Sequence, residues 1–358
     1  MSDPVLPPTF QRWMDELLPS PIPRESRATC HDCPMLDASE AGPDAPFHPA
    51  TKCCTYHPEL SNFQVGAILL DDSPEVAPAR AVLDRRIDGR LAVSPLAVRP
   101  PPAYMTIYNA SAGATPTAFG RTPALVCPFY IRDGGLCGIW RHRNSVCASW
   151  FCRYERGARG RAFWRLVHLL LKTLEDSLRL WCVAQVDPEV ARTAFLFEAD
   201  SPRGLDEFAV SGVASEPAYL MQWGKWAGME RTFFKKCAQA AAGLSWRDVL
   251  AVGGARAAAA ADLVRELHER LHMGGPPDRV RRGAAYLVQI GRRPREVRVR
   301  NAQLHHDWFD MPADALGVVP RLCGGRLADA LDELAREGTP LDPALVKKLI
   351  DFEVLVPA

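Results

Sequence analysis

Residues Cys127 to Cys152 read CPFYIRDGGLCGIWRHRNSVCASWFC. Four cysteines fall in this stretch, at 127, 137, 147 and 152, with nine, nine and four residues between them. Aromatic and apolar residues fill the gaps, together with the step Arg141-His142-Arg143. Upstream lie Cys30-His31-Asp32-Cys33 and the adjacent pair Cys53-Cys54. Eight of the eleven cysteines thus form two sets, and they predict a chain folded around a thiolate-bound metal or iron–sulfur centre. The candidate ligands are Cys30, Cys33, Cys53, Cys54, Cys127, Cys137, Cys147 and Cys152.

A C-x2-C pair such as Cys30 and Cys33 brings two thiolates from one turn. Adjacent side chains diverge, so Cys53 and Cys54 are expected to serve different metals, or only one of them to be a ligand. The thiolates suit two four-coordinate zinc sites, or one four-iron cluster with a second site. Cys182, Cys237 and Cys323 stand alone and read as small buried residues. His31, His48, His57 and His142 lie among the cysteines and are alternative ligands, although each alone reads as a loop histidine. His305-His306-Asp307 and the helical i, i+4 pair His268 and His272 are weaker candidates. Neighbouring loop histidines point apart, and the helical pair lacks the acid of an H-E-x-x-H motif.

Hydrophobic residues at 47% and charged ones at 24% predict a packed core in a chain of 358 residues. Of the 31 prolines most fall before residue 130, so irregular loops are expected there. A net charge of +1 gives no global reason to expect nucleic acid as a partner. The first residues carry no basic segment followed by an apolar run, and the most apolar stretch, Phe163 to Trp181, is broken by charges. A cytoplasmic protein that spans no membrane is expected, with its thiols reduced and open to metal.

The predicted fold class is α+β, mainly α. It has a loop-rich cysteine-cluster domain with a small sheet, then a helical region ending in a winged-helix-like helix-turn-helix-strand. Expected divisions are an arm over 1–27, the cluster domain over 28–156, helices over 157–300 and a small module over 301–358. Helical spacing marks Phe10–Leu18, Pro74–Asp88, Arg161–Gln185, Pro217–Lys225, Met229–Ala242, Ser245–Val252, Ala255–His272, Leu327–Leu334 and Ala344–Asp351. Leu91–Val98 and Tyr104–Tyr108 alternate like strands, Phe63–Leu70 suits a strand or a helix start, and REVRVR before Asn301 reads as an exposed strand. Arg141 and Arg143 are expected to favour thiolate charge locally. Phe129, Tyr130, Trp140, Trp150 and Phe151 are expected to exclude water from the site.

The segment from Cys127 to Cys147 resembles the YkgJ-type cysteine-cluster family of zinc- or iron-chelating domains. That family has an early C-x2-C, a CC pair, and a later block close to C-P-x4-G-x-C-x-I-Y-x2-R-P-x2-C. Cys137, Ile139, Trp140, Arg143 and Cys147 fall in register with the second part of that block, and Cys127, Pro128 and Phe129 match its start across two extra residues. Trp140 stands where the family has Tyr, Asn144 where it has Pro, and nineteen residues separate Cys33 from Cys53 instead of a few. The likeness covers roughly residues 28–152 and implies a metal-chelating site, not a reaction.

Three functions follow as expectations. The first is a cytoplasmic zinc or iron–sulfur protein with a protein or small-molecule partner. The second is a protein-modifying enzyme with a structural cluster, similar to lysine N-methylases that carry a related cysteine set. The third is a regulator that binds a partner or nucleic acid through its C-terminal module.

Overall fold

The computed structural model describes residues 5–26, 28–33, 35–36, 47–114, 119–194, 211–273, 275–283, 286–291, 293–301 and 308–358. Among these the chain is α+β and mainly α, with thirteen α-helices and small, wholly antiparallel sheets. His305, His306 and Asp307 lie outside the described residues.

Two compact units emerge, and both are discontinuous in sequence. The first takes residues 1–22, 29–150 and 167–262; the second takes 23–28, 151–166 and 263–358. The division crosses two long helices, at 166/167 and 262/263, and falls also at 22/23, 28/29 and 150/151. A helix with one unbroken apolar stripe gives no composition shift at which a boundary can be read.

In the first unit, α1 (Pro8–Leu17) buries Phe10, Trp13, Met14 and Leu17, the face expected of its amphipathic segment. The apolar run after Leu60 resolves as a helix, α2 (Asn62–Leu70). A capping box starts it, with Gln64 Oε1 accepting from the Ser61 amide at 3.0 Å. Helix α3 (Ala77–Asp88) follows a single 3-10 turn at Pro74–Val76.

Two strand expectations fail here. Only Ala97–Val98 of the stretch Leu91–Val98 is strand, β2, pairing antiparallel with β1 (Leu60–Ser61). The rest turns, with Arg90 and Ala92 at positive φ of 49° and 51°. Tyr104–Tyr108 lies inside a helix, α4 (Pro102–Ala114). Tyr104 and Tyr108 are four apart, which satisfies both a period of two and a helical turn. Proline at the first turn decides for helix, and the two rings stack at 5.9 Å.

After a short α5 (Ser145–Ser149) comes α6 (Gly157–Val186), whose Val167, Leu170, Leu171, Leu174 and Leu178 are fully buried. Then follow α7 (Pro188–Ala194), α8 (Glu216–Trp223) and α9 (Glu230–Ala242). Trp223 is core. Helices α2 and α9 meet backbone to backbone: a Cβ on Gly66 would lie 1.9 Å from the Phe234 carbonyl oxygen.

Helix α10 (Trp246–Met273) opens with a Ser245/Asp248 cap, the Asp248 carboxylate accepting from the Ser245 amide at 3.0 Å. Gly254, at φ 64° and ψ −158°, breaks it where the sequence predicts two helices.

The second unit has its own core, including Val280, Val299, Phe309, Leu322, Leu349 and Leu355. Strand β7 (Glu296–Asn301) lies between β6 (Tyr286–Ile290) and β8 (Trp308–Pro312). The REVRVR segment is thus a central strand and not an exposed one. Arg298 is buried against the Trp308 ring at 3.4 Å and the Asp310 carboxylate at 3.1 Å. Beyond α11 (Ala313–Val318) come α12 (Leu327–Arg336) and α13 (Pro343–Asp351), in the helix-turn-helix order expected. The final strand, β9 (Leu355–Pro357), pairs antiparallel with β5 (Val280–Arg282). Among the described residues no helix is long and apolar enough to cross a membrane.

Candidate metal centre

Three segments of the first unit bring seven of the eight candidate cysteines together. In the earliest, Thr29 Oγ1 donates to the Asp32 carbonyl at 2.9 Å and the Leu36 amide to the Cys33 carbonyl at 3.0 Å, folding Cys30 and Cys33 onto one turn. The middle segment is a tight turn from His48 to Thr55, with Lys52 at a φ of 50°. It is clamped to Gly120: the buried Thr51 hydroxyl donates to the Gly120 carbonyl at 3.0 Å, and the Gly120 amide donates to Thr55 Oγ1 at 2.7 Å. Gly120 is required there, because its φ is +74° and a Cβ would sit 2.0 Å from the Phe47 ring.

The third segment is the one whose spacing predicted the site. The Cys127 amide donates to the Cys54 carbonyl at 2.8 Å, which ties it to the middle turn. A hairpin then places Cys137 opposite Tyr130, β3 (Tyr130–Ile131) pairing with β4 (Leu136–Cys137) around Gly134 and Gly135. Asn144 caps α5, its Oδ1 accepting from the Cys147 amide at 3.0 Å.

Lys52 joins all three segments. Its ammonium donates to the Cys30 carbonyl at 2.6 Å and to the Gly135 carbonyl at 3.0 Å, while its own amide belongs to the cysteine turn.

The electrostatics of the thiols show which ones are neighbours. Cys54 acts on Cys30, Cys127, Cys137 and Cys147, so it is the common neighbour of both sets. Burial pushes the thiols of Cys30, Cys127 and Cys147 up and that of Cys137 to about 12, with nearby thiols adding to the rise. The Arg143 guanidinium opposes it at Cys30, Cys137 and Cys147. Cys54 is drawn down instead, chiefly by a hydrogen bond from the Cys53 thiol. The Cys53 and Cys54 thiols are thus neighbours.

Arg143 is 4% exposed. It donates to the carbonyls of Trp140 at 3.0 Å, Cys147 at 3.4 Å and Val5 at 2.9 Å, and stacks on the Trp140 ring at 3.5 Å. Among the described residues it meets no carboxylate. A buried cation without an anion is costly, and the surrounding thiols are the groups able to supply negative charge. Arg141 is exposed and takes no such place.

Cys152 falls in the second unit, two residues past the division. The Nε2 of His57 lies 3.2 Å from buried Arg86, and burial followed by that guanidinium pulls His57 down to about 3. His142 Nε2 meets Asp71 Oδ2 at 2.7 Å, and His48 Nδ1 accepts from the Ala50 amide at 3.1 Å. Each of the three has a partner outside the thiol set. His272 Nδ1 lies 3.0 Å from the His268 carbonyl, and the two rings lie 4.2 Å apart, tilted by 36°. Phe129 is buried as a water-excluding wall should be, but Trp140 and Trp150 are each 37% exposed.

Sequence reasoning passed over Glu175. It is fully buried in the α6 stripe beside Cys147, and it accepts from Gln64 Nε2 at 2.8 Å and the Ser145 amide at 2.7 Å. Burial outweighs these bonds and raises its carboxyl to about 7. A charged residue four positions after Leu171 on an otherwise apolar face was the available signal.

Among the described residues no cysteine is in a disulfide. Among the described residues no three His, Cys, Asp or Glu side chains stand close enough, as placed, to hold an ion. The thiols are therefore neighbours within electrostatic reach, on loops, and not a preformed coordination shell. Soft, closely grouped donors facing a buried counter-cation fit a thiolate-bound metal in chemical type. No protein-family model, curated protein or solved structure matches the chain.

Proposed function

We propose that this chain is a metal-binding protein that holds zinc or an iron–sulfur cluster through thiolates of Cys30, Cys33, Cys53, Cys54, Cys127, Cys137 and Cys147. One observation carries the reading: seven cysteines from three distant segments gather around Cys54 and Arg143, a buried guanidinium with no carboxylate among the described residues. Such a centre would cross-link the three loops if it is zinc and exchange single electrons if it is iron–sulfur. Lys52 holds the loops in register, and Arg143 offsets the charge that ionised thiols would bring into the interior. The resemblance to the YkgJ-type family supports the same reading.

The deciding experiment is anaerobic purification of the full chain, followed by measurement of zinc, iron and acid-labile sulfide. Stoichiometric metal is expected, with broad absorbance at about 400 nm if iron–sulfur is present. Serine at Cys54 should abolish retention, whereas serine at Cys323 should leave it intact. Metal-free protein whose thiols all alkylate as readily as free cysteine would overturn the proposal.

A further inference from the structure

A cleft of about 350 Å³ lies within the second unit, between the start of α6, residues 275–276 and the α12–α13 pair. That volume is at the lower end of the range that accepts a small ligand, about 300–1,000 Å³. Its walls are apolar and include Leu331, Leu341, Val346 and Ile350. Its back is rigid. Gly157 packs so closely that a Cβ there, at a φ of +50°, would lie 2.7 Å from the Phe352 ring and 2.9 Å from the Asp351 carbonyl.

Four charged side chains also line the cleft, and they are not equivalent. Arg156 and the nearly buried Asp351 neutralise each other, with Nη2 donating to Oδ1 at 2.9 Å and Nε donating to Oδ2. Arg156 Nη1 is spent on the Leu271 carbonyl at 2.9 Å. Arg159, one turn further along α6, and Lys347, on α13, line the same space and have no ion-pair or hydrogen-bond partner among the described residues. The first turn of α6 carries no acidic residue, so the positive end of a 30-residue helix adds to their field. The whole unit holds 22 Lys and Arg against 16 Asp and Glu, a net of +6, while the rest of the chain is left at −5.

We propose that this cleft binds a small amphipathic carboxylate, with its apolar body against the leucine and valine walls and its charged head between Arg159 and Lys347. An uncharged apolar molecule would leave both cations unpaired, and a bare inorganic anion would leave the apolar walls wet. The site is independent of the thiol centre.

The test is calorimetric titration of the full chain with decanoate below its micelle concentration, with decanol and inorganic phosphate as comparisons. Saturable one-to-one binding of decanoate is expected, with decanol and phosphate each at least about tenfold weaker. The double variant R159A/K347A should bind decanoate about tenfold or more weakly while keeping its circular dichroism and melting temperature. L341W, which fills the cleft from a partly buried position in the turn before α13, should abolish binding. No decanoate binding, binding indifferent to the double variant, or phosphate binding as tightly as decanoate would each overturn the proposal.

Discussion

Arg143 carries the sharpest residue-scale consequence. With neutral thiols around it the guanidinium is an unneutralised interior charge; with thiolates it is compensated. Arg143→Met should therefore weaken metal retention against a competing chelator by about 10–100-fold, the usual effect of removing an outer partner of a metal site. It should also narrow the stability gap between loaded and stripped protein, and Arg143→Lys should recover part of both. An unchanged chelator competition would show that the charge does not act on the site. Glu175 gives a pH signature. Its folded carboxyl, at about 7, stands above the ordinary 4.5, so the native state holds the proton more tightly than the unfolded chain does. That contribution is fully present below pH 4.5 and is lost as pH rises through 7, a loss of roughly 3 kcal/mol. Melts of the wild type between pH 5 and 7.5 should fall more steeply than those of Glu175→Gln, and parallel slopes would discount the buried acid.

Among the elements, the α2–α9 contact is the most exacting. Gly66→Ala would drive a methyl against the Phe234 carbonyl and to 2.8 Å from the Ala238 Cβ, forcing two helices apart. A loss of about 1–3 kcal/mol or more is expected, read as a lowered denaturation midpoint. Ala238→Gly beside it should recover little, because backbone and not side chain blocks the space. The contact also marks how far the sequence could be read. Amphipathic helices such as α6 and α13 were legible because their apolar spacing has one interpretation. Tyr104–Tyr108 was not, since four-residue spacing fits two periods and only the preceding prolines separate them. REVRVR showed alternation but not its neighbours, and a strand covered on both edges looks the same in sequence as a free one. The cysteine grouping was legible from density alone. Lys52, which acts through backbone carbonyls, left no mark in side-chain pattern.

At the scale of the molecule, the two units differ in what holds them. The second has a contiguous apolar core running from Val280 to Leu355. The cysteine-bearing loops of the first are joined by turns, a two-residue-deep hairpin and one ammonium. Ordering such backbone costs about 1–2 kcal/mol per residue, and thiolate–metal bonds in small sites supply roughly 10–16 kcal/mol. Chelation should therefore expose residues 28–36, 47–60 and 119–150 to proteolysis and hydrogen exchange, while 308–358 remains protected. Uniform protection before and after stripping would mean that metal does not organise these loops.

Cys182 and Cys237 are both fully buried where α6 and α9 run through the first unit, and burial raises both thiols, Cys182 to about 12. An alkylating reagent reaches them only when the helices separate. The seven clustered thiols answer to the opening of loops. One chain thus contains two clocks. In a pulsed-labelling mass measurement, beyond the adducts at half-buried Cys152 and Cys323, a fast increment of up to seven times the loosening of the loops, and a slow increment of two times global unfolding, with no dye or tag required.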